Sequence, residues 1–151
     1  MQYLHQAGCL ELLPTLYGTV SIPEGVAAEL AAGHASGVPL PDLGRLDWVR
    51  LRTAPHLGIL PLAADLGQGE REVLSLAVSR RGSLALLDDA LARHFAKHLG
   101  ISFTGTLGVL LRAKTTGRLD AVRPILDRLQ ELGFWLDPST RSAVLRIAAE
   151  S

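Results

Sequence analysis

Asp88 and Asp89 close a short, wholly apolar run, Leu84-Ala85-Leu86-Leu87, and a helical pattern begins directly behind them. An unbroken apolar run of this length reads as a strand buried on both faces, the mark of a parallel sheet. In open parallel sheets the ligand crevice lies beyond the carboxyl ends of the strands. The two carboxylates therefore stand where an α/β protein keeps its chemistry. Two more acidic positions share that character. Glu29 sits mid-helix among the small and apolar residues Val26 to Ala32, and Glu70 and Glu72 open a helix after Gly67-Gln68-Gly69. Carboxylates gathered from helix starts and strand ends of one sheet repel one another unless a cation cancels their charge. Oxygen-only ligands select hard ions such as Mg²⁺ or Mn²⁺. Such an ion orients a water, lowers its pKa and stabilises the charge that develops at a phosphate undergoing displacement. Structural readings stand beside this one. Asp88 fits as the cap of the next helix, Glu29 as a solvated residue, and Glu70 as a complement to a helix dipole.

The elements that must position these acids are legible as periodicity. An amphipathic helix covers Tyr3 to Leu13 and ends at Pro14. A strand follows at Thr19–Ile22, and Pro23 starts a helix from Glu24 to Ala32 that Gly33 closes. His34 to Gly44 is rich in Gly and Pro and reads as loop; Trp48–Leu51 alternates as a strand near a sheet edge; Thr53–Gly58 is a second loop. Helical spacing runs from Gly69 to Arg80, followed by the Leu84–Leu87 strand, a helix from Asp89 to His98, and a strand at Ile101–Phe103. Leu107–Lys114, Ala121–Leu132 and Ser139–Ala149 are helices. Strands alternating with helices imply right-handed crossovers. The predicted class is α/β, a three-layer α/β/α sandwich with a parallel sheet.

At 151 residues the chain has the size of one domain with a real core. An apolar fraction of 48% excludes disorder, and no apolar run approaches the roughly 18 residues of a membrane span. Cys9 is the sole cysteine, so neither an internal disulfide nor a thiolate zinc cluster can form. These features predict a cytoplasmic protein. Fifteen basic and fifteen acidic residues balance to zero, which argues against a general polyanion-coating protein. The balance still permits a local basic patch, and Arg112, Lys114 and Arg118 gather near one helix end, with Arg80 and Arg81 elsewhere. His94 and His98 share a helix face but lack the glutamate and third ligand of a zinc-protease site. They read as solvated. Thr104-Gly105-Thr106 precedes a helix as a cap or a phosphate-holding turn. There is no phosphate-loop lysine motif and no nucleophile elbow. A phosphotransfer domain built on Asp88-Asp89 would need a lysine at a strand end, and neither Lys97 nor Lys114 stands at one.

Six stretches in order, Ala7 to Leu13, Ile22 to Leu30, Gly69 to Ala77, Leu86 to Arg93, Gly105 to Lys114 and Leu132-Gly133-Phe134, resemble the PIN-domain ribonucleases. They are most similar to a prokaryotic PIN-like subfamily related to the VapC toxins. The resemblance implies a single PIN-like domain over 1–151: a metal-dependent ribonuclease with acids meeting at strand ends around Mg²⁺ or Mn²⁺. Carried over by position, Glu29, Glu70 and Asp88 are the catalytic and metal-binding acids, and Asp89 is a neighbouring ligand. RNA is the implied substrate, and a small antitoxin and a second copy of the chain are implied partners, with no membrane. The family opens with a central strand ending in Asp, whereas Met1 here already lies in the first helix. The chain thus reads as N-terminally truncated relative to the family. That departure sets an alternative: a catalytically decayed PIN-like module that binds nucleic acid or protein.

Overall fold

A computed structural model describes residues 1–56 and 64–150. The described residues contain eight α-helices, four short strands and one 3-10 turn, and the α/β class expected from the sequence is what is found. They divide into two compact units.

The contiguous unit, Thr19–Gly105, holds the strands. In chain order it comprises β1 (Val20–Pro23), α3 (Glu24–Ala35), the 3-10 turn Leu43–Arg45, β2 (Val49–Arg52), α4 (Gln68–Ser79), β3 (Leu84–Leu86), α5 (Ala90–His98) and β4 (Ser102–Thr104). Both strand pairs are parallel: Val20 lies opposite Val49 in β1–β2, and Leu84 opposite Ser102 in β3–β4. Each pair is the β-α-β arrangement that alternating patterns demand, with α3 linking the first and α5 the second. Among the described residues the pairs are two separate two-stranded sheets, where the sequence implied one. Among the described strands β1 pairs with β2 and β3 with β4. α4 bridges them, packing on β1 and β3 as well as on α3 and α5. The core beneath is Leu66, Leu74, Ala85, Leu87, Ala92 and Ala96, with Val73, Ala77, Phe95 and Ile101 against it.

The two-stranded sheet corrects the reading of the apolar run. Leu84 is 45% exposed while Ala85 and Leu87 are 5% and 3% exposed. Side chains alternate across the strand, and only one face is sealed.

The other unit combines Met1–Gly18 with Thr106–Ser151 and is helical: α1 (Gln2–Gln6), α2 (Leu12–Tyr17), α6 (Thr106–Thr115), α7 (Arg123–Glu131) and α8 (Pro138–Ile147). α6 packs on both α2 and α8. Leu4, Leu13, Val109, Leu110, Val122, Leu126 and Leu129 are buried in it. Tyr3 meets Phe134 edge-on at 5.0 Å between ring centres. Partial burial raises the Cys9 thiol pKa above its ordinary value, which disfavours the thiolate.

Three boundaries differ from expectation for physical reasons. The first predicted helix is two helices, broken where Gly8 adopts φ +75°, a left-handed conformation that glycine takes without steric cost. Pro14 starts rather than stops: it lies in the first turn of α2, where the N–H it lacks would have had no intrahelical acceptor. α3 runs through Gly33 to Ala35. A Cβ at Gly33 would overlap the Leu40 side chain, so that glycine admits a neighbour instead of ending the helix. The predicted loop Thr53–Gly58 extends beyond the described residues.

Candidate acidic site

α4 begins without a side-chain cap at its own N-cap position. Its N-cap is Gly67, with extended backbone and no side chain to accept the free N–H groups. Glu29 supplies the acceptor from α3: its Oε1 takes a hydrogen bond from the Gly69 N–H at 3.1 Å. Glu70, in the first turn of α4, turns its carboxylate back toward Gly67. A Cβ on Gly67 would lie 2.5 Å from Glu70 Oε2. Both carboxylates thus sit at the positive end of the α4 dipole, where negative charge is stabilised. The helix starts at a glycine pair because two carboxylates occupy the space that side chains there would fill.

Glu72 makes the converse contact. Its carboxylate rests against Gly25 on α3, and a Cβ at Gly25 would overlap Oε2. That oxygen is buried and has no hydrogen-bond partner. Gly25 and Glu29 lie four residues apart on α3, and Gly69 and Glu72 three apart on α4, so each pair shares a helix face. The two faces interlock. The carboxylate of each helix fits the glycine notch of the other.

Asp88 follows β3. Leu87 N–H donates to Thr104 O at 2.8 Å, carrying the parallel pairing one residue past β3. This brings Asp88 beside Gly105, where a Cβ would be 2.8 Å from Asp88 Oδ1, 3.2 Å from Leu87 O and 3.9 Å from Arg93 Nη1. Asp88 is exposed. Arg93, one turn into α5, brings a guanidinium to the same end of the sheet. Asp89 has a defined structural task. It is the N-cap of α5, and its Oδ2 accepts from Ala92 N–H at 2.8 Å. The cap that the sequence allowed at Asp88 is made by its neighbour.

Glu29 and Glu70 therefore both lie at the start of α4, against Gly69 and Gly67, while Asp88 and Asp89 stand at the end of β3, all within the one unit Thr19–Gly105. Among the described residues no three His, Cys, Asp or Glu side chains are gathered as a ready ligand set. The His94 and His98 rings lie 4.3 Å apart between centres and are tilted by 50°, with His98 Nδ1 in contact with His94 O at 2.9 Å, on an exposed face of α5. The sequence named Glu72 only as an acid at the start of a helix, and it did not single out Gly25 or Arg93. The Gly25–Glu29 and Gly69–Glu72 spacings were the signal available.

The donors at this end of the molecule are oxygens alone, the kind a hard divalent cation takes. One of them, Glu72 Oε2, lacks any partner. The residues fit such an ion in kind. No helix among the described residues is long and apolar enough to cross a membrane.

A family model described as DUF3368, PIN domain, matches residues 1–150. No curated protein and no solved structure matches the chain.

Proposed function

This chain belongs to the PIN-domain family, and from that premise we propose that it is a metal-dependent ribonuclease of the VapC type. PIN domains are of nuclease type, act on nucleic acid and generally use divalent metal ions. In this reading Glu29, Glu70 and Asp88 hold Mg²⁺ or Mn²⁺, and Asp89 lies beside them. The ion, when bound, supplies Lewis acidity and a water of lowered pKa for attack on an RNA phosphodiester. The carboxylates orient that water through their remaining lone pairs. Arg93, beside Asp88 at the Gly105 turn, offers a forked donor to a phosphate oxygen of the RNA. The observation that carries the reading is the approach of two carboxylates from different helices, Glu29 and Glu70, to one helix start. An uncompensated pair there is costly without a cation, even with the helix dipole.

A second reading has its own support. Glu29 and Asp89 already hold helix ends, and carboxylates so engaged suit a PIN-like module that binds RNA or a protein partner without chemistry. A small antitoxin and a second copy of the chain are the partners this class of domain would take.

The deciding experiment incubates the purified chain with structured RNA and Mn²⁺, beside the Asp88→Asn variant. Cleavage by the parent and none by the folded variant supports the nuclease. RNA retention without cleavage by either supports the binding module. Equal cleavage by both removes Asp88 from the site.

A further inference from the structure

We propose that Glu72 is a further ligand for the divalent cation, reaching it from α4 across the seam with α3, opposite Glu29. This rests on the metal-dependent reading above and adds a residue that the family resemblance did not assign.

Three observations converge on Glu72. Its Oε2 is buried and makes no hydrogen bond. Buried polar atoms nearly always have a partner, and an exception points to a water or an ion that completes the site. Space for that carboxylate is made by a glycine: any side chain at Gly25 would overlap Oε2. Glycine is unfavourable inside a helix, so α3 gives up helical propensity in its first turn at the one place where the carboxylate lies. The third observation is the neighbour. Glu29 is one turn along the same face of α3 as Gly25, and its carboxylate lies against Gly69, one turn before Glu72 on α4. The interlocked seam therefore carries one carboxylate from each helix. Glu29 has a backbone N–H to satisfy it and Glu72 Oε2 has nothing. A hard cation entering the seam gives that oxygen its partner, and Glu29 can turn from the Gly69 N–H to share it. Glu70, folded back toward Gly67, approaches from the same helix turn.

Titration calorimetry of the full chain with MnCl₂ tests this, with loss of the free Mn²⁺ electron paramagnetic resonance signal as a second readout. Glu72→Gln keeps the shape of the side chain and removes its charge, and should weaken Mn²⁺ binding about tenfold or more. Gly25→Ala should weaken it as well, because the added methyl displaces the carboxylate while every acid remains. The second variant carries the test if Glu72→Gln does not fold. Mn²⁺ bound by the parent, lost in Asp88→Asn and unchanged in both Glu72→Gln and Gly25→Ala overturns this assignment and leaves the nuclease reading standing. Failure of the parent chain itself to take up Mn²⁺ overturns both.

Discussion

The carboxylate of Glu29 caps a helix to which it does not belong. Its Oε1 accepts from Gly69 N–H at 3.1 Å, and Gly67, the N-cap of α4, has no side chain to do so. A candidate metal ligand is thereby also a structural tie between α3 and α4. Removing an N-terminal cap costs about 0.5–2 kcal/mol. Glu29→Ala should lose about that much stability in urea denaturation without metal, and Glu29→Gln, which keeps the acceptor oxygen, should lose less.

Gly105 is a packing requirement of the β4–α6 turn. A methyl there would fall 2.8 Å from Asp88 Oδ1 and 3.2 Å from Leu87 O, and the second of these is backbone that cannot swing away. Gly105→Ala should destabilise by about 1–3 kcal/mol, the range for overpacking. Thermal melting reads the loss, and a parallel fall in Mn²⁺ affinity would report displacement of Asp88.

The adjacent aspartates should separate by their responses. Asp89 caps α5 through Ala92 N–H, so Asp89→Ala is expected to cost about 1 kcal/mol, while Asp89→Asn retains most of the cap. Chemical denaturation of the two variants side by side checks the difference.

Glu150 gives the helical unit a dependence on pH. Its carboxylate accepts from Val122 N–H at 2.6 Å and Arg123 N–H at 2.9 Å, with Lys114 Nζ at 3.5 Å. The Val122 bond first, then the Arg123 bond, hold its pKa below the ordinary value of 4.5; burial opposes them, and Lys114 adds a lesser lowering. A group with a depressed folded-state pKa contributes stability above its unfolded pKa and loses that contribution as pH falls through the folded value. The melting temperature should therefore decline on acidification below about pH 4.5, and Glu150→Gln should flatten that decline while lowering stability at neutral pH.

The alternation of strands and helices carried the elements of the unit Thr19–Gly105; burial did not, since α3, β2 and β4 hold no buried residue. What escaped was set by contacts distant in the chain. Gly33 looks like a helix stop until Leu40 is seen against it, and Pro14 looks like one until Gly8 is seen to break the chain earlier. The Leu84–Leu87 run reads as buried on both faces because composition records which side chains are apolar, and exposure depends on how many strands the sheet has. The acids were legible as acids. Their division of labour was not, since sequence does not show which of Asp88 and Asp89 meets the Ala92 N–H, nor that Glu72 lies against Gly25.

The helical unit is assembled from both ends of the chain, Met1–Gly18 and Thr106–Ser151, while the strand-bearing unit is one uninterrupted segment. During synthesis the order is therefore fixed by connectivity. The segment Thr19–Gly105 can close as soon as it leaves the ribosome, whereas α2, made before it, must wait for α6. At about 5–20 residues per second, that wait lasts on the order of ten seconds. Through that interval Leu13 of α2 has no α6 to pack against, and residues made before the strand-bearing unit reach their final neighbours after it.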